Sequence, residues 1–200
     1  MRLEALAVEM PWVRSHPNRV PFRGVLTQVD APSQRPPAGA RGHRVLLTQQ
    51  AANDALPSLI GMALDHNPAM DGHDARRKVG IITGAEIVGS DLVVEGYLFA
   101  RDFPELMAKI SAGREPLGMS YEIADARVQD VRADVWTLTE VTFTGAAILL
   151  RSKAAYEQTS IALAQDLAAN RFSRGEGKTM DKQQTQQLIK IGRASCRERV

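Results

Sequence analysis

The chain has 200 residues, 44% of them hydrophobic and 24% charged, with a formal net charge of +2, a composition that suits one sizeable globular core plus a tail. No apolar run approaches the ~20 residues needed to cross a bilayer. Met1 to Met10 carries Glu4 and Glu9 where a signal peptide would have a basic stretch and a long apolar one, so a cytoplasmic protein is expected.

The only cysteine, Cys196, leaves no disulfide framework to build. It lies in Ile191 to Val200, whose composition breaks with what precedes it, and one reverse translation of IGRASCRERV resembles the adapter oligonucleotide of a common sequencing library. Without Arg193, Arg197, Arg199 and Glu198 the formal charge becomes zero. The slight basicity therefore gives no reason to expect nucleic acid as a partner.

In chain order, Val20 to Asp30 reads as a strand, Ala31 to Gly42 as a Pro- and Gly-rich loop, and His43 to Thr48 as a short strand. Pro57 suits the first turn of a helix running to about Leu64, which would place His66 just past a helix end. Lys78 to Val88 and Asp91 to Ala100, rich in Val, Ile, Leu, Tyr and Phe, read as two strands of a hairpin around Gly89-Ser90. Asp102 and Glu105 suggest a capping box for a helix from Pro104 to Gly113. Leu117 to Ile123 and Val135 to Phe143 read as further strands, joined through the charged stretch Asp125 to Asp134. After Arg151 the chain turns alanine-rich, and Tyr156, Leu163 and Leu167 fall at helical spacing. The fold class expected is mostly β with flanking helices (α+β), a β-barrel of about six strands.

Several groups could carry chemistry. Ser120 stands in Gly118-Met119-Ser120-Tyr121-Glu122, half of a G-x-S-x-G elbow, with Glu122 in place of the second glycine, and no strand–helix alternation surrounds it. Asp65-His66-Asn67 with Asp71, His73 and Asp74 supplies enough nitrogen and oxygen donors for a divalent metal, but the spacing matches no zinc frame and the Pro and Gly content suits an exposed turn. Gly175 to Thr179 lacks the first glycine and the preceding strand of a phosphate loop, so it reads as a linker.

Taken together, the Asp-His-Asn at 65–67, the hairpin with Gly80 and Gly96, the capped helix, the Gly-x-Ser at 118–120 and the strand Trp136 to Phe143 resemble the prohead (capsid maturation) proteases of tailed bacteriophages, distant relatives of the herpesvirus assemblins, over roughly Val20 to Ile161. The resemblance implies an assemblin-like barrel, with Ser120 as nucleophile, His66 as general base, Glu140 as the acidic residue that orients the imidazole, and Arg151 as an oxyanion candidate. Thr142 to Ala147 and Tyr121-Glu122 depart from the family's usual runs. It implies a serine endopeptidase that cleaves scaffold and capsid delta regions and then itself, inside the immature prohead in the host cytoplasm. The partners implied are the major capsid protein, a scaffold protein and further copies of itself, with no cofactor, metal, nucleic acid or membrane.

The organisation that follows is a protease domain over 1–165, a helix end and linker over 166–179, the start of a scaffold-like helical segment over 180–190, and the adapter-like stretch 191–200. Two alternatives are a catalytically inactive capsid-assembly scaffold and a metal-dependent hydrolase using the His66/His73 cluster.

Overall fold

In the computed structural model, residues 16–163 are described; the expected linker, scaffold-like segment and adapter-like stretch lie outside them. The described residues hold eight strands and two α-helices. The strands are β1 (Arg19–Gln28), β2 (Arg44–Leu47), β3 (Ala63–Asp65), β4 (Lys78–Val88), β5 (Asp91–Phe99), β6 (Leu117–Val128), β7 (Val135–Leu150) and β8 (Ser160–Leu163), and the helices are α1 (Gln49–Ala55) and α2 (Pro104–Ala112). The mostly β class with flanking helices is therefore observed, with two strands more than expected.

Alternation of apolar and polar residues, the pattern of a strand with one face buried, marks β1, whereas β4 and β5 are specified by their β-branched and aromatic content, with Leu92, Val93 and Val94 buried in succession. These pair antiparallel and continue the sheet in the order β7-β3-β4-β5-β1-β8. Strand β7 organises the other end. It pairs with β6 along one edge and, on the opposite edge, runs parallel first to β2 and then to β3. The sheet curls so that strands which do not pair still meet: a Cβ on Gly24 of β1 would lie 2.8 Å from Met119 Sδ of β6. Phe22, Leu26, Ile82, Val94, Leu98, Met119, Phe143 and Ile148 fill the interior.

Three local expectations are corrected. The helix expected from Pro57 to Leu64 begins earlier, because Thr48 caps it by accepting a hydrogen bond from Ala51 N–H at 3.2 Å; Pro57 then sits in a 3-10 turn, Leu56–Leu59, and His66 follows a strand. The capping box does not form, since Asp102 accepts instead from Asn18 Nδ2 at 2.8 Å and Phe103 occupies the cap. The helix expected after Arg151 is a short 3-10 turn, Arg151–Lys153, followed by β8. Tyr156 and Leu163 are buried as expected, but Tyr156 is held by its hydroxyl, which donates to Val45 O at 3.0 Å, and Leu163 by pairing across from Phe22.

Candidate active site

Strand register decides which side chains meet. Ser120 on β6 lies opposite Ala147 on β7, and Ala147 lies opposite Asp65 on β3. Register partners point to the same face and alternate residues share it, so Asp65, Ala147, Ser120, Gly145 and Glu122 belong to one face. Leu64, Ala146, Tyr121, Met119 and Ile148 belong to the other. The second set packs in the main core, whereas Ala147 and Leu149 join Ala154 in a separate small cluster. Ser120 is therefore displayed on the outer face of the curled sheet.

The segment between β3 and β4 is built to lie against this region. His66 N–H donates to Arg77 O at 3.3 Å and closes its base, while Asn67 forms a turn, its side-chain oxygen accepting from Ala69 N–H at 2.8 Å. Farther out, Leu150 N–H donates to Met70 O at 2.8 Å, which ties the segment to the end of β7. The returning limb carries His73. Its Nδ1 lies 3.5 Å from Asp65 Oδ1 and 3.6 Å from Glu122 Oε1. Those carboxylates come from the strands on either side of β7, so the imidazole lies over β7, on the face that carries Ser120. Gly145 leaves the room: a Cβ there would come within 2.7 Å of Glu122 Oε2.

Asp65 is the anchor of the arrangement. Its side chain is fully buried, its Oδ1 accepts from Asp74 N–H at 3.1 Å and its Oδ2 lies 3.3 Å from Lys78 Nζ. Burial pushes the carboxyl up, but His73, the Asp74 N–H and Lys78 together outweigh it and hold the group below its ordinary value. Asp65 is therefore ionised at neutral pH and faces an imidazole whose two ring nitrogens are buried and lack a hydrogen-bond partner among the described residues. Asp65, His73 and Glu122 also place three ligand-type atoms within 4.8 Å of one another.

His66 falls elsewhere. One step along the chain from Asp65, it is 3% exposed, its ring meets Phe103 edge-on at 5.9 Å, and its Nδ1 lies 3.1 Å from Asn67 O. Burial, aided by the positive charges of Arg77 and Lys109, lowers its pKa, so it is a neutral ring at the start of α2. Its Nε2 is buried without a hydrogen-bond partner, and among the described residues neither His66 nor His73 makes a hydrogen bond to Ser120. His66 lies one residue beyond the end of β3, so the β3–β7 register, which puts Asp65 on the Ser120 face, assigns His66 to neither face.

Glu140 is not brought to the site either. It pairs in register with Arg127 and binds that guanidinium at 2.7 Å in the solvent, and at about 3.3 Å per residue the stretch of β7 between it and Ala147 is roughly 23 Å long. Arg151 does come close. Its N–H donates to Pro116 O at 2.9 Å, and a Cβ on Gly118 would lie 3.2 Å from Arg151 Cα. Gly118 shares the Ser120 face, so Arg151 stands beside the serine's row, at an open groove of about 540 Å³ lined by Glu115, Pro116, Leu150, Arg151 and Ser152.

The sequence places His73 in a metal cluster or a turn and does not reveal its position between Asp65 and Glu122 over β7. The signal lay in parity: Asp65 is an ionisable residue at the end of an apolar strand, and a buried carboxylate needs a partner.

No protein-family model and no curated protein matches the chain. Among solved structures it is similar to the capsid assembly protease of bacteriophage T4, at 16% identity and a TM-score of 0.46 over 63% of this chain and 80% of that one. It is also similar to the KSHV protease, solved in complex with a hexapeptide phosphonate inhibitor, at 12% identity and a TM-score of 0.44 over 86% of this chain and 77% of that one.

Proposed function

We propose that this chain is a serine endopeptidase of phage capsid maturation, acting inside the immature prohead on scaffold protein, on the delta region of the major capsid protein and on itself. The observation that carries the chemistry is that Ser120 shares one face of β6–β7–β3 with an imidazole, His73, held beside a buried, ionised carboxylate, Asp65. A serine hydroxyl is a weak nucleophile at neutral pH until a base takes its proton, and an imidazole does this best when a carboxylate fixes its tautomer.

In this reading His73 takes the proton from Ser120, Oγ attacks the scissile carbonyl, and His73 protonates the departing amine before water resolves the acyl-enzyme. Asp65 accepts from Nδ1–H and stabilises the imidazolium. The Nδ1–Oδ1 separation of 3.5 Å is longer than a well-formed hydrogen bond, as is common before substrate binds. Arg151, beside Gly118, supplies positive charge to the developing oxyanion, where each well-aimed donor is worth about 3 kcal/mol. The capsid-maturation assignment rests on the sequence resemblance across Val20 to Ile161, and self-association goes with it as part of the proposal.

A metal-dependent hydrolase is the second reading, favoured by the mutual approach of Asp65, His73 and Glu122; His66 would not be among its ligands. Co-expression with the major capsid protein separates the two. The serine reading expects cleavage that survives a chelator and is lost in Ser120→Ala, whereas a metal hydrolase would lose cleavage with the chelator.

A further inference from the structure

We infer that Asp65, His73 and Glu122 form a zinc(II) site whose occupancy switches the peptidase off, an inference that rests on the serine reading for its consequence but not for the binding itself. The His73 Nδ1 to Asp65 Oδ1 separation is 3.5 Å and the Nδ1 to Glu122 Oε1 separation is 3.6 Å, both longer than an ordinary N–H···O bond. Zinc takes nitrogen and carboxylate ligands at about 2.0–2.2 Å in a tetrahedron, so neighbouring ligand atoms stand about 3.3–3.6 Å apart. The two measured edges match that figure, and the third carboxylate pair lies within 4.8 Å.

The donor set also suits the ion. One imidazole and two carboxylates leave a fourth position for water, and a dication relieves the repulsion of two carboxylates converging on one ring nitrogen. Each ligand is held by the fold. Asp65 Oδ2 is turned to Lys78, which leaves Oδ1 for the metal, and the Asp74 N–H bonded to Oδ1 acts as a supporting contact of the kind that orients metal ligands. Glu122 is half exposed and is the hinged member, kept over β7 by the missing side chain at Gly145.

The functional consequence follows from the tautomer. A metal on Nδ1 leaves the ring proton on Nε2, and a ring in that state has no lone pair with which to accept the Ser120 proton. Zinc would also replace the Asp65–His73 contact that fixes the imidazole for catalysis. Binding and turnover therefore compete for one nitrogen.

The test uses the full chain, freed of metal with a chelator and exchanged into clean buffer. Calorimetric titration of Ser120→Ala with zinc sulfate should show one zinc per chain. Adding His73→Ala to that background should abolish the heat, and adding Glu122→Gln should weaken binding about a hundredfold, the upper end of what losing even an indirect partner of a metal ligand costs. Glu122 is on the surface, so this variant keeps the arm informative if His73→Ala does not fold. In the active protein, zinc should stop self-processing with a midpoint that tracks the calorimetric affinity, and chelator should restore it. Absence of zinc uptake, uptake unchanged in both variants, or zinc-stimulated cleavage would overturn the inference. Continued cleavage by Ser120→Ala would instead overturn the serine reading and leave the binding site standing.

Discussion

The two halves of β7 contain the same kind of strand in different settings. From Leu138 to Thr144 buried and exposed residues mostly alternate, with Leu138, Val141 and Phe143 inside and Thr139, Glu140, Thr142 and Thr144 in water. From Gly145 to Leu149 every residue is buried. The first half has a core on one face only. The second has the barrel core on one face and, on the other, the small cluster of Ala147, Leu149 and Ala154, with the β3–β4 segment tied to its end through Met70. Only the second half offers a place where charged and nucleophilic groups can be held partly out of water, where their interactions are strong. Ser120, His73 and Asp65 gather there, and Glu140, in the first half, spends its charge on Arg127 at the surface.

The largest effect that sharpens this contrast is on catalysis. Ser120→Ala should reduce self-processing by about 10⁶-fold, read as the fraction of chain converted over time, with an unchanged circular dichroism spectrum because Ser120 is outside the main core. Asp65→Asn should lower the rate by about 10⁴-fold, since an amide favours the wrong tautomer of the imidazole it faces.

The same Asp65 makes a stability prediction. Its folded pKa lies below the ordinary value of an aspartate in the unfolded chain, so the stabilisation it contributes is fully present above that ordinary value and is lost as pH falls through the folded pKa. His66 behaves differently: a neutral ring whose folded pKa lies below 6.5 loses stability as pH falls below that unfolded value, because only the unfolded chain takes up the proton there. Urea midpoints measured against pH should therefore fall in two stages. His66→Leu should flatten the upper stage and Asp65→Asn the lower.

Packing changes should divide along β7 in the same way. Ala147→Leu should cost about 1–3 kcal/mol by overfilling a face that is already covered, while Thr142→Leu, on the open face, should stay within about 0.5 kcal/mol. The smallest effect expected is that of Glu140→Gln, which removes an exposed ion pair worth at most about 1 kcal/mol and should leave cleavage at the parental rate. A large loss of activity in Glu140→Gln would erase the distinction between the two halves.

Much of the fold was legible because its signals are local. Two runs rich in β-formers on either side of Gly89-Ser90 mark the β4–β5 hairpin, and Pro104 with Gly113, which takes the left-handed conformation at φ 59°, brackets α2. The early start of α1 depended on a single hydroxyl, that of Thr48, and β8 was disguised by alanines that suit a helix in isolation. Ser120 was legible from its glycine frame. The position of His73 was not, because His66 and His73 both sit in turn-forming, aspartate-rich sequence and only the pairing of β3 with β7 determines that Asp65 faces outward. Register between strands so distant in sequence is set by the whole sheet.

The central claim, that Ser120 is activated by His73, is tested most directly by labelling with a serine-reactive phosphonate followed by peptide mass spectrometry on the parent chain, His73→Ala and His66→Leu side by side. A phosphonyl adduct is expected on Ser120 in the parent and in His66→Leu, and none above the rate of a surface serine in His73→Ala. Labelling that persists in His73→Ala and disappears in a folded His66→Leu would contradict it.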